Sequence, residues 1–311
     1  MLRAMGVLQS DSTPTPKVRG WAPFALGFRP VFLLAALAAV ILMALWPMIW
    51  RGHFGLPSHY DAIAWHSHEM LFGYATAVIS GFLLTAVRNW TGVDTWTGPR
   101  LALLELVCLL GRLLPWVNGV PTIVLVAVDV AVLVLVALSL MRPLWAGKMR
   151  VNRVFVPLLG VMALANLLSH MQMIGLQTPF GDARRVMLDL VLLLIVLVAG
   201  RVLPFFTRNA LPGFQPVSRA WVEQGSIWLI GLIAIFDLFP LLPPVFSAVS
   251  WLLFSSLQLL RLAGWYEMRV LSIPVLWVLH AGYGWLTLGS LLYGLSMLGL
   301  FSPSGALHAL T

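Results

Sequence analysis

Charge is what this sequence has least of. Only 10% of its 311 residues are Asp, Glu, Lys or Arg, while 60% are hydrophobic. A water-soluble domain of this length needs far more charged surface, so the chain reads as a polytopic protein of the lipid bilayer. Cysteine is nearly missing, with Cys108 alone. One thiol rules out an intrachain disulfide, a thiolate zinc site and covalent CxxCH haem attachment. Any metal must then be held by His, Met or carboxylate, and any haem without a covalent bond. Acidic residues are few, 11 against 19 basic ones, for a formal charge of +8. The basic residues fall singly between apolar runs, with no basic stripe and no nucleic-acid motif. Nucleic acid is therefore excluded as a partner, and the positive-inside rule accounts for the charge. The first apolar run follows a long polar lead and lacks a small-residue cleavage site, which marks a retained anchor.

A membrane span needs about 20 apolar residues. That rule places helices at about Phe28–Trp50, Ile63–Val87, Leu101–Val117, Pro121–Met141 and Val154–Leu176. It continues at about Val186–Phe206, Val222–Phe239, Pro244–Ala263 and Ile273–Leu300. The fold class is thus all-α: one transmembrane bundle of about nine spans over residues 1–311, led by a polar segment, 1–24. The third helix is short and carries Glu105 and Arg112, so its polar side must pack against protein. After Pro303 the run Gly305 to Thr311 reads as the first turns of a tenth helix, truncated there. Lys and Arg crowd one side, among them Arg88, Arg100, Lys148, Arg150 and Arg208. The other side holds only Arg51, Arg184, Arg185 and, near a helix end, Arg112, which puts the N-terminus in the cytoplasm.

Against that background, Trp65-His66-Ser67-His68-Glu69-Met70 stands out, because ionisable groups at membrane depth are costly and mark functional sites. Sequence distance from a helix end converts to depth at about 1.5 Å per residue. His66, His68, His170 and His308 then share an outer level, while His280 and Arg201 share an inner one. His66 and His68 point about 200° apart on a regular helix and cannot grip one ion together. His66 shares a face with Met70, Gly73, Ala77 and Gly81, a strip of small residues that admits a flat macrocycle or another backbone. His68 shares its face with Phe72, Ala75 and Ile79. His170 is flanked at helical spacing by Asn166 and Met173, and thioether with imidazole suits copper(I).

Each signal also has an ordinary explanation. A single membrane histidine such as His280 is often a packing residue, and His53 and His59 belong to a solvated loop. Met70 and Met173 fill gaps in cores, and small-residue strips usually mean close helix packing. Glu105, Asp129, Asp189 and Asp237 suit a proton path, yet intramembrane acids more often pair with a nearby Arg or hydroxyl. Convergence of several histidines at one depth is the stronger signal. A second unusual stretch runs from Gly200 to Asn209, where Pro204 is expected to loosen the helix end. Arg201 there needs an anionic partner: Asp189 or Glu223 in a structural ion pair, or a haem propionate.

These motifs carry a resemblance. Ala25-Leu26-Gly27-Phe28-Arg29-Pro30, the Trp65 to Met70 run, Gly81 to Gly92, Gly200 to Asn209, His280-Ala281 and His308 to Thr311 together resemble the NnrS family. Those are bacterial inner-membrane proteins containing haem and copper and linked to nitric oxide. The resemblance implies about twelve spans, more than the nine counted here. It also makes His66, His68, His280 and His308 candidate ligands, to which the depth argument adds His170. The expectation is a haem- and copper-binding protein of the inner membrane, acting in the response to nitric oxide. His66 is the expected axial ligand of a non-covalent haem b, with His280 as a further cofactor residue and Arg201 as propionate partner. His68 and His170, with Met173, are the copper candidates. The alternative from another class is a cofactor-free transporter of protons or metal ions.

Overall fold

A computed structural model of the chain describes residues 23–57 and 60–311. Most of the polar lead, including Arg3, Lys17 and Arg19, and the loop histidine His59 lie outside the described residues. Among the described residues there are ten helices and no strand. They are α1 (Phe28–Trp50), α2 (Ala62–Thr91), α3 (Pro99–Leu113), α4 (Thr122–Ala146) and α5 (Phe155–Met173), followed by α6 (Ala183–Ala210), α7 (Ala220–Leu238), α8 (Pro244–Trp265), α9 (Pro274–Met297) and α10 (Pro303–Leu310). Eight are long and apolar enough to cross a membrane; α3, with 15 residues, and α10, with 8, are the exceptions. The all-α polytopic bundle expected from the apolar runs is therefore the fold, and α3 is its short third member.

Local chemistry sets the ends. Pro99, Pro244, Pro274 and Pro303 open their helices, where a missing N–H costs nothing. Asp61 caps α2 by accepting from the Ala64 N–H at 2.8 Å, and Asp182 caps α6 by accepting from Arg184 at 2.9 Å. Pro204 does not loosen α6, which runs on to Ala210. In lipid a broken backbone has no water to turn to, so helices bridge an internal proline with the help of neighbours and hydroxyls. Thr207, for instance, donates back to the Leu203 carbonyl at 2.8 Å.

From α4 to α10 each helix packs on its predecessor, while α1 lies against α2, and both α2 and α3 lie against α4. Two apolar cores meet at α6. The first joins Leu83, Leu133, Leu140, Phe155 and Met162 to Met187 and Leu190. The second joins Ile230, Trp251, Phe254 and Tyr283 to Leu192 and Val196. The outward faces are apolar too. α1 buries Val31, Ala35, Leu42 and Ile49 on one stripe and exposes Leu33, Val40, Ile41 and Met43. Such surface is a liability in water and the natural covering of a bundle in lipid.

α2 is interrupted. Its start (Ala62–His68) and its long end (Thr76–Thr91) are α-helical, but Glu69–Ala75 between them is a π-helix. Bonds from i to i−5 widen the turn, and such segments gather at functional sites. His68 and Glu69, adjacent in sequence, are both buried there.

At the far end of the chain, α10 lies directly on α9 at Gly289. A Cβ there would fall 2.6 Å from the Leu310 Cα and 2.7 Å from the Ala309 carbonyl oxygen. Gly289→Val is expected to push α10 off its seat at a cost of about 1–3 kcal/mol. The measurement is the thermal unfolding midpoint in detergent, with new proteolysis after residue 298 as its companion.

Candidate metal centre

Asp129 sits seven residues past the start of α4, about 10 Å along its axis. An unneutralised carboxylate at that depth is prohibitive, and three other helices answer it. From α5, Asn166 Nδ2 donates to Asp129 Oδ2 at 2.9 Å, and one turn later His170 Nε2 reaches the same oxygen at 2.9 Å. From α2, His68 Nε2 lies 3.2 Å from it. From α3, Arg112 Nη2 meets Oδ1, while its Nη1 donates to Glu69 Oε1 at 2.9 Å. Glycines make the room. A Cβ on Gly73 would lie 2.8 Å from Arg112 Nη1, and one on Gly111 would lie 3.3 Å from Asp129 Oδ1.

The proton positions follow from the acceptors. His68 Nε2 faces Asp129 Oδ2 and, at 3.3 Å, the side-chain amide oxygen Oδ1 of Asn166. Two acceptors assign the proton of a neutral ring to Nε2. His68 Nδ1 is then a lone pair without a hydrogen-bond partner, 3.9 Å from Glu69 Oε1. One guanidinium against the two carboxylates Glu69 and Asp129 leaves one excess negative charge in a buried cluster. Either a proton on an imidazole or a bound cation must balance it. The ligand atoms of His68, Asp129 and His170 all lie within 4.8 Å of one another, near enough for one metal ion. Tyr60 and Phe72 flank the His68 ring, at centroid distances of 5.6 and 5.0 Å. Burial outweighs the pull of the Arg112 charge and pushes the Tyr60 phenol up to about 12, so it stays a neutral donor.

The other candidate residues are placed as follows. The outer histidine level divides into two pairs. His68 and His170 meet, ring centroids 4.9 Å apart. His66 turns away, stacks on Trp46 at 4.0 Å, leaves Nδ1 unpartnered, and lies within electrostatic reach of His308 on α10. His308 is exposed, with Nδ1 2.7 Å from the Ser304 carbonyl. The small-residue strip below His66 holds protein: Arg112 and Glu69 lie over Gly73, and the Phe32 ring lies over Gly81. Met173 is half-buried at the last turn of α5, beyond the three converging ligand atoms. Met70 packs with Leu42, Ile49 and Trp65.

On the inner level, Arg201 pairs with neither expected carboxylate; it donates to Asn152 Oδ1. Glu223 is held instead by Arg261 of α8, at 2.8 Å from Nη2 and 3.2 Å from Nε. Gly200 leaves the space, since a Cβ there would fall 2.3 Å from Arg261 Nη2. Asp189 faces Asp237. His280 is buried, with Nδ1 2.9 Å from the Leu276 carbonyl and Nε2 3.3 Å from that of Trp265. The ring edges an apolar cleft of about 390 Å³ lined by Tyr266, Leu271 and Trp277.

The family model described as NnrS protein matches residues 22–311, nearly the whole chain. The chain belongs to the NnrS family. No curated protein and no solved structure matches it. At the level of the family, an NnrS protein is a multi-pass membrane protein related to nitric oxide and associated with metal or haem. In this NnrS protein two imidazoles and a carboxylate form a donor set that suits copper or non-haem iron. His280, with each ring nitrogen at a backbone carbonyl, edges an apolar cleft that would admit a flat macrocycle.

Depth reasoning applied only to histidines missed Asp129 as a member of the centre, Arg112 as its counter-charge and Glu69 as the second carboxylate on that arginine. The signal was present. Asp129 lies as far into α4 as His68 lies into α2, and both helices start at the same end of the bundle.

Removing the guanidinium leaves two buried carboxylates facing each other. Arg112→Leu is expected to destabilise the protein by about 3–5 kcal/mol. Glu105→Gln, at a carboxyl whose buried oxygen has no hydrogen-bond partner, should stay within about 0.5 kcal/mol. Thermal unfolding of both variants in the same detergent compares them.

Proposed function

We propose that this NnrS protein binds copper and non-covalent haem b in the bacterial inner membrane, N-terminus cytoplasmic, and acts in the response to nitric oxide. The observation that carries the reading is the convergence of His68, Asp129 and His170 between three helices. His68 and His170 would hold copper through ring nitrogens, with Asp129 as third donor. Asn166, Arg112 and Glu69 orient those donors from behind, as outer partners of metal ligands do. Binding a cation requires both rings to release the Nε2 proton, and the unpartnered Nδ1 of His68 is placed to take one up. A singly charged ion cancels the one excess negative charge, which favours copper(I) over a divalent metal. Met173, three residues beyond His170 on the same helical face, is the thioether candidate.

Haem is assigned to His280 beside its cleft, and to His66, whose Nδ1 has no partner and whose neighbour is His308. Arg201 gives one N–H to Asn152 and remains the propionate candidate. When bound, these groups supply one-electron chemistry and an open position for nitric oxide. The chain itself holds the donors at fixed orientation, and Tyr60 and Phe72 keep bulk water from the His68 ring. The second reading, cofactor-free transport of protons or metal ions, draws on the same buried carboxyls. Purified protein without colour and without metal would favour it.

Metal analysis and a visible spectrum of purified protein test the assignment. Wild type is expected to carry copper and a Soret band. His68→Gln, His170→Gln and Asp129→Asn should each lower bound copper about tenfold or more while eluting as wild type does. His66→Ala and His280→Ala should each weaken or abolish the Soret band. Full copper in both Gln variants, or full haem in both Ala variants, sinks the respective assignment.

A further inference from the structure

On the opposite side of α6 from the metal centre lies a second pair of acids that the reading above does not use. Asp189 of α6 and Asp237 of α7 face each other where the loop before α6 is tied to the end of α7, Gly181 N–H donating to the Leu238 carbonyl. Asp189 is 1% exposed, and Asp237 is half-buried at the last turn of its helix. The Oδ2 atoms of both are buried and have no hydrogen-bond partner. Two ionised carboxylates are acceptors only, so at contact they repel unless a proton lies between them.

Counting the surrounding charges gives the same answer. The titratable and charged groups within reach are Asp182, Arg184 and Arg185 at the start of α6, and Tyr293 from α9. Asp182 and Arg184 neutralise each other, bidentate at 2.9 and 3.0 Å. Burial alone would raise the Asp182 carboxyl, but the Arg184 hydrogen bonds and charge hold it below the usual carboxylate range. Among the described residues that leaves Arg185, an exposed side chain, as the single cation for two acids. Tyr293 is wedged edge-on against Trp251 at 4.9 Å and brings a hydroxyl but no charge. One carboxyl of the pair has a counter-charge and the other has none.

We propose that Asp189 and Asp237 form a proton-binding site that holds one proton between them and is filled from the histidine end of the bundle through Asp237. Asp237 exposes part of its side chain beside the loop that carries Gly181, whose N–H donates to the Leu238 carbonyl at 2.9 Å. Asp189 lies fully buried on α6, whose neighbouring Leu188 and Leu192 belong to the second apolar core. A proton arriving at Asp237 passes to Asp189 with the two carboxyls exchanging acid and carboxylate roles, so charge is conserved within the pair. The site needs no metal and stands apart from the copper and haem assignment.

Infrared difference spectroscopy of the full chain in lipid vesicles reads it directly. At neutral pH the wild type should show the carbonyl band of a protonated carboxylic acid, shifted on transfer to deuterium oxide because Asp237 is accessible. Asp189→Asn should abolish that band. Asp237→Asn, at the half-exposed partner, should move its frequency because the hydrogen-bonding partner has changed. A spectrum without an acid band, or a band untouched in both variants, overturns the proposal. So does a band that sodium ions remove at constant pH, since the site would then take a metal cation in place of the proton. Metal content should be unchanged in both variants, which separates this outcome from any failure of the copper assignment.

Discussion

A carboxylate two turns inside a membrane helix cannot be left alone, and the first half of this bundle is arranged around that constraint. Asp129 draws Arg112 from α3, His68 from α2, and Asn166 and His170 from α5. The attraction explains why α3, too short to cross the bilayer, stays docked: its arginine has nowhere else to go. It also explains two glycines that composition alone would assign to helix packing. Gly73 and Gly111 yield the volume that a guanidinium spanning two carboxylates occupies.

α6 is the common wall of two assemblies that solve the burial of charge differently. Toward α2 to α5, opposite charges meet and fall one short of balance. Toward α7 to α9, two acids meet each other, and a little deeper Arg261 is saturated by Glu223, Gln258, Tyr283 and the Val196 carbonyl. Arg261 and Glu223 balance one charge against one, although Gln258 Nε2 in the same network has no partner. The other two assemblies lack a counter-charge, and a buried group without one is where an ion or a proton has something to add. Charge balance therefore separates scaffold from function here better than burial does, since all three are buried.

Much of the fold was legible because lipid imposes a simple length rule. Every apolar run became a helix within a few residues, and the short third helix needed protein on its polar side, as α3 has. The interior of the bundle was less legible. Depth placed His68 and His170 at one level, yet the partner of Arg201 could not be found from level alone, because Arg261 competes for Glu223 from a neighbouring helix. Pro204 misled because the penalty for breaking a helix in lipid exceeds that for carrying a proline through it. The π segment had no signature beyond an unusual density of polar residues at a helix start. Periodicity assumes one turn width, and the chain departs from it where the site is built.

That widened turn has a further consequence. A π segment is in effect an extra residue accommodated without ending the helix, so the two halves of α2 are held in a relative rotation that a regular helix would not give. Were residues 69–75 to relax to ordinary α geometry with none removed, His66 and His68 would turn by about 100° against the Thr76–Thr91 half, whereas excising one residue there would keep their bearing. The helix would still be apolar and long enough to span, and still be anchored by the same distal contacts. In the relaxed helix only the bearing of its first two turns would change, and the imidazole of His68 would turn away from Asp129 and His170.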